Sequence, residues 1–275
     1  MRASSITVRI LVITSAVAVG LATLSGCSEP GAPSGESGAQ AAESGAQAAG
    51  PNAPAASATT SARPIDPCAG VAGECVYVAD ADVDGDGNAD QIGIARQGAT
   101  TTTIVGINGT PYKLDQTTTM TNAYSDPRDI YRGAFLLSRA VGSDIAVHLV
   151  PGEGNAEQFA VISWDGKKLV TLPQPQTADR TGAQVPGIWY LGSSHGRQDF
   201  IACRQPGEIA VVRLTAATSE GQPVPGGGRR EENFYTFAGN AWQPAGSNNV
   251  ADSSFSYNWN AHEGAFQCDN QGTAR

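Results

Sequence analysis

The densest chemistry in the sequence is the acidic run Asp80-Ala-Asp82-Val-Asp84-Gly85-Asp86-Gly87-Asn88-Ala-Asp90. Five aspartates so close together repel one another unless a cation gathers them. Alternation in a tight turn aims the carboxylates inward, and glycine lets the backbone bend around an ion with no Cβ in the way. Calcium takes about six to eight hard oxygen ligands, which such a set can supply. Counting from Asp82, the expected ligands are Asp82, Asp84 and Asp86, the carbonyl of Asn88, and Asp90. A second register, led by Asp80, Asp82 and Asp84, is open as well. An EF-hand demands Glu at position twelve, where these registers put Gly93 or Gln91, so that motif is disfavoured. The expected role of the ion is structural, with an affinity on the order of 10⁻⁴–10⁻³ M, as at other extracellular sites. A solvated acidic turn holding no ion is the alternative.

Both flanks of this run look like strand. The stretch VYVADADVDGDGNADQIGIA resembles the strand–loop–strand calcium repeat of the FG-GAP and VCBS families of integrin-type propellers. Asp82, Asp84, Gly85, Asp86, Gly87 and Asp90 match the family pattern D-x-[DN]-G-D-G-x-x-D. The resemblance implies calcium bound on a β blade. It covers a single complete copy, which favours a small or partial propeller, or a sandwich using the same loop.

Cysteines form the second chemical set. Cys27 follows Leu24-Ser25-Gly26, behind a short basic segment with Arg2 and Arg9 and an apolar stretch from Ile10 to Leu24. That stretch is short for a bilayer span of about 20 residues and reads as a removed signal. The cleavage segment resembles the lipobox of bacterial lipoproteins, which implies diacylglycerol on Cys27, cleavage before it, and an anchor at the extracytoplasmic face of the cell membrane. Arginine-dominated cations and abundant Ala and Gly suggest an actinobacterial source. With Cys27 set apart, Cys68, Cys75, Cys203 and Cys268 remain. An even count in an oxidising compartment suggests disulfides. Cys68–Cys75 and Cys203–Cys268 are the favoured pairs among three possible pairings. No CxxC pair exists to suggest zinc.

Other candidates are weaker. His148 lies in an apolar strand and reads as a buried, partnered side chain. His195 and His262 are isolated, and Ser193 to Asp199 lacks a nucleophile elbow. Trp164, Trp189, Trp242 and Trp259 mark packing more often than a sugar platform, although Tyr257-Asn-Trp259-Asn260 suits a carbohydrate-like surface.

The elements that must position these groups begin with a spacer. Residues 27–66, after a signal over 1–26, are rich in Gly, Ala, Ser and Pro and repeat ESGAQAA at 36–42 and 43–49. Such a segment cannot bury enough surface to order itself, and about 39 residues of flexible coil reach roughly 30–40 Å. The body, 67–275, reads as short strands and turns: CVYVADADV, ADQIGIA, TTTIVGI, PYKLDQ, SDIAVHLV, QFAVISW, KLVTL, DFIACR, EIAVVRLT and NFYTFAG. Asn108-Gly109, Asp165-Gly166 and Gly239-Asn240 are expected hairpin turns. Arg128–Ala140 is expected to hold a helical turn or two, and Gly226–Glu232 an exposed loop. The expected fold is all-β, built of antiparallel hairpin repeats in a small or partial propeller-like domain, or else a β-sandwich.

Removing residues 1–26 takes away two arginines and moves the formal charge from −9 to −11. An acidic surface with so few lysines argues against nucleic acid, whose binding rests on cationic neutralisation of phosphate. The expected function is a calcium-braced, non-enzymatic binding module on a lipid tether, its partner an envelope protein or glycan. An enzyme acting on envelope polymers and an accessory subunit of a membrane complex are the alternatives.

Overall fold

A computed structural model describes residues 64–117, 126–150, 157–176, 185–194, 196–219, 222–251 and 264–275. Cys27, the spacer up to residue 63, His195, Tyr257, Trp259 and His262 lie outside them. Among the described residues no helix is long and apolar enough to cross a membrane.

The body is all-β. Strands β1 (Glu74–Ala81), β2 (Asp90–Gln97), β3 (Thr100–Ile107) and β4 (Thr110–Thr117) form an antiparallel meander. A 3₁₀ turn at Pro127–Ile130 leads into β5 (Tyr131–Phe135), β6 (Asp144–Val150), β7 (Glu157–Trp164) and β8 (Leu169–Thr171). Then follow β9 (Trp189–Ser194), β10 (Arg197–Gln205), β11 (Glu208–Ser219), β12 (Gln222–Ala238) and β13 (Ala241–Ala251), with short β14 (Phe266–Gln267) and β15 (Thr273–Ala274). One sheet runs β15-β1-β2-β3-β4, and the other β13-β12-β11-β10-β9-β7-β6-β5. All pairings are antiparallel except β10 with β14.

Period-two alternation explains the layering. On β6 and β7, Ile145, Val147, Leu149, Ala160 and Ile162 face the five-stranded sheet and pack on Val78, Ile92, Ile94 and Val105. The alternate residues Ala146, Phe159 and Val161 turn the other way and meet Ile201, Ile209, Val211 and Trp189. Strand β9 makes the second contact possible by splitting its partners. Trp189–Leu191 pair with β7, and Gly192–Ser194 pair with β10. The long sheet thus turns back over its own β6–β7 face. Burying each of these Ile, Val and Phe side chains contributes about 1.5–3 kcal/mol. The packed sheets correspond to the sandwich alternative and not to radial blades.

The disulfides pair Cys68 with Cys75 and Cys203 with Cys268, as expected. Asn108-Gly109 and Gly239-Asn240 form two-residue hairpin turns with positive φ at both positions, as a primed turn requires. The Asp165 turn is shifted by one residue. Asp165 N–H donates to the Lys168 carbonyl, so Gly166-Lys167 is its centre.

Two segments depart from expectation. The helical turn stops at Ile130, and Tyr131–Phe135 is strand. The apolar spacing of this segment arises from an edge strand packed on both sides. Gly226–Glu232 is not a loop but the middle of β12. Its polar residues hide the strand, which is held by neighbours such as Arg230–Glu232 and Arg229–Asn249 and not by an apolar stripe.

Candidate functional site

The acidic run occupies the β1–β2 turn, with strands on both sides. Oxygens of Asp82, Asp84 and Asp86 lie within 4.8 Å of one another. The loop closes on itself through its amides. Asp82 accepts from Gly85 N–H at 2.7 Å and Gly87 N–H at 3.0 Å, and Asp86 from Asn88 N–H at 2.7 Å. Gly85 and Gly87 have φ of 85° and 87°, which the tight path requires and which a side chain would strain.

Asp90 does a different job. It is buried, and its Oδ2 accepts from Val83 N–H at 2.9 Å, drawing the two ends of the loop together. Burial pushes its carboxyl up to about 7, partly opposed by the Val83 hydrogen bond. Burial also raises Asp84, despite the Asp86 N–H that it accepts. The described geometry therefore gathers Asp82, Asp84 and Asp86, with Asp90 behind them and Asn88 exposed at the rim.

Asp80 is occupied elsewhere. A bulge in β1 between Tyr77 and Ala79 puts Tyr77 and Asp80 on one sheet face. There the Asp80 carboxylate accepts from Tyr77 Oη and pairs with Arg275. Asp80 therefore stands apart from the group formed by Asp82, Asp84 and Asp86.

Distant residues complete the loop's support. Asn108, in the β3–β4 turn, donates its Nδ2 to Asp84 Oδ2 at 3.1 Å. Arg139 donates to the Val83 carbonyl at 3.0 Å and lies 3.8 Å from the buried Asp144 carboxylate. Asp144 in turn accepts from Ser138 N–H at 2.7 Å and Ser138 Oγ at 3.0 Å. Its pKa is raised by burial, against these lowering contacts. A cleft of about 300 Å³ opens beside the loop, lined by Tyr77, Asp80, Asn88, Gln91, Asn108 and Arg275. The three carboxylates offer hard oxygen, the ligand type that a hard divalent cation takes.

No family model, curated protein or solved structure matches the chain. The site must be read from its own chemistry.

The other candidates among the described residues are held in packing contacts. His148 is buried and stacks on Phe159 at 4.5 Å. Its Nδ1 faces Arg132 at 2.9 Å, and its Nε2 lies 3.1 Å from Glu157. An arginine can only donate, so Nδ1 accepts and the proton of a neutral ring sits on Nε2, toward the glutamate. Trp189 is fully buried with Trp242 edge-on at 6.0 Å, and Trp164 packs against Tyr112 at 4.5 Å. These tryptophans are packing residues.

Proposed function

We propose that this chain is a lipid-anchored cell-envelope protein whose β body is a binding module braced by calcium at the β1–β2 loop. The observation that carries the calcium reading is the convergence of Asp82, Asp84 and Asp86 within 4.8 Å. Three carboxylates so close repel at neutral pH, and a divalent cation converts that repulsion into attraction. Asp82, Asp84 and Asp86 would hold the ion, with the Asn88 carbonyl and Asp90 as the further expected ligands. The ion would then hold the β1–β2 connection in shape.

The anchor reading rests on Leu24-Ser25-Gly26-Cys27 and the apolar stretch before it. Two acyl chains anchor stably where one is marginal. The extracytoplasmic location also agrees with two disulfides in the body.

The test is thermal unfolding with calcium and with EGTA. At a calcium concentration about ten times a millimolar Kd, ligand linkage gives roughly 1.4 kcal/mol, a melting-point rise of roughly 3–5 °C. An unchanged melting point removes the calcium reading. The mass of the peptide that begins at Cys27 tests the anchor independently, since an unmodified cysteine there removes it.

A further inference from the structure

An exposed strand edge offers a row of unpaired backbone donors and acceptors, and natural proteins guard such edges with charge, proline, bulges or cover. Among the described residues, three of the four ends of the two strand paths are guarded. Strand β15 is two residues long. Strand β4 carries Pro111, Lys113 and Asp115. Strand β5 is capped, because Ala134 N–H donates to Asn270 Oδ1 at 2.9 Å and its carbonyl accepts from Gln271 N–H at 2.7 Å.

The fourth end, β13, is long and exposed along nearly all of its length. Its first half carries Pro244 and a bulge before Gly246. Its second half, Ser247-Asn248-Asn249-Val250-Ala251, carries no charge, no proline and no bulge, and pairs in unbroken register with Asn233–Arg229 of β12. The β12 residues behind it, Arg229, Arg230, Glu231 and Glu232, sum to zero charge. In a chain of net charge −9, this edge is locally neutral.

We propose that Ser247–Ala251 is a homodimer interface, pairing antiparallel with the same strand of a second copy to make one continuous sheet. The occupant follows from the edges themselves. Sheet continuation needs two open edges; among the described residues β13 is the one end of the two strand paths left unguarded, so the complementary edge that a second copy offers is its own β13. Two identical strands related by a two-fold axis run antiparallel, and the isologous contact closes at two copies. About an axis at Asn249, Asn249 faces its own copy, Asn248 faces Val250, and Ser247 faces Ala251. No like charges meet in that register, and the two Asn249 amides, facing each other, can hydrogen-bond. Growth past the dimer is blocked because the far end of the sheet, β5, is capped. This inference needs neither the calcium nor the lipid reading.

Sedimentation of the full chain in density-matched detergent tests it, with Asn249→Lys and Val250→Lys as variants that place a guarding charge on the edge. The expected result is twice the monomer mass for the unaltered chain, falling to monomer mass in both variants with unchanged circular dichroism. A monomer at every concentration overturns the proposal, and so does a dimer that survives both substitutions. A second measurement needs no variant: amide exchange over Ser247–Ala251 should slow as chain concentration rises. Exchange independent of concentration overturns it equally.

Discussion

The backbone N–H of Ser143 donates to the carbonyl of Asp82 at 2.7 Å, fastening the aspartate loop of one sheet to the β5–β6 connection of the other. Gly142 sits between them with φ of 79°. A Cβ there would lie 3.0 Å from the Val83 carbonyl and 3.1 Å from Gly85 N, both backbone atoms. Gly142→Ala should therefore strain its own backbone and push the loop away. The expected cost is about 1–3 kcal/mol, read as a lower urea midpoint with an unchanged slope. If calcium binds the loop, its affinity should fall in the same variant.

The loop should also make stability depend on pH in a calcium-sensitive way. Asp90 is raised from an ordinary 3.8 to about 7 by burial, and Asp84 is raised as well. In the window between those values the folded state holds more protons than the unfolded one, so folding stability falls as pH rises from about 4 to about 7. Calcium competes with protons for carboxylates, so its stabilisation should grow across the same window. Melting curves at pH 4.5 and 7.5, with calcium and with EGTA, are expected to diverge only at the higher pH. A calcium effect equal at both values contradicts this coupling.

How much of this was legible in the sequence depended on how far apart the cooperating residues lie. Asp82, Asp84 and Asp86 are neighbours, and their spacing alone announces the cluster. Asn108 and Arg139 are 24 and 56 residues from their loop partners and reach them only through sheet pairing and sheet packing. Asn108 read as a turn residue, which it is, with nothing local to signal its hold on Asp84. Strands β6 and β7 were plain because each is buried on both faces, which gives continuous apolar runs. Strand β12 was hidden because its middle carries polar neighbours that bond along the strand and across to β13, a pattern that resembles that of a loop. Asp144 did leave a signal, an acid opening a mostly apolar strand, yet nothing local announces its hold on Ser138 and Arg139.

The two disulfides should differ in worth. Cys203 and Cys268 are 65 residues apart, whereas Cys68 and Cys75 are seven. Loop-closure entropy then predicts a loss of about 4 kcal/mol for the long bridge and about 2.5 kcal/mol for the short one. Paired Cys→Ser variants, Cys203/Cys268 and Cys68/Cys75, compared by urea unfolding, should show that order. The long bridge also ties β10 to the segment after β14, so its loss should expose Phe266, which stacks on Phe135 at 5.5 Å.

The segment that joins the upstream chain to the body lies across two glycines of the outer sheet face. Ile65 covers Gly106, where a Cβ would come within 2.5 Å of Ile65 Cγ1, and Pro67 covers Gly93, with a corresponding distance of 3.0 Å. Neither glycine has positive φ, so alanine suits both strands, and what it displaces is chiefly the strap, with Gln91 Oε1 at 3.3 Å from the Cβ at position 106 giving slightly as well. Ile65 N–H donates to Gln91 Oε1 at 3.1 Å, which gives the strap a reporter amide. Gly106→Ala should lift Ile65, speed exchange of its amide, and cost about 1 kcal/mol of apolar burial. Cys68–Cys75 should still hold everything beyond it, so exchange in β1–β4 stays slow. Faster exchange throughout the sheet would show that the strap supports the fold as a whole.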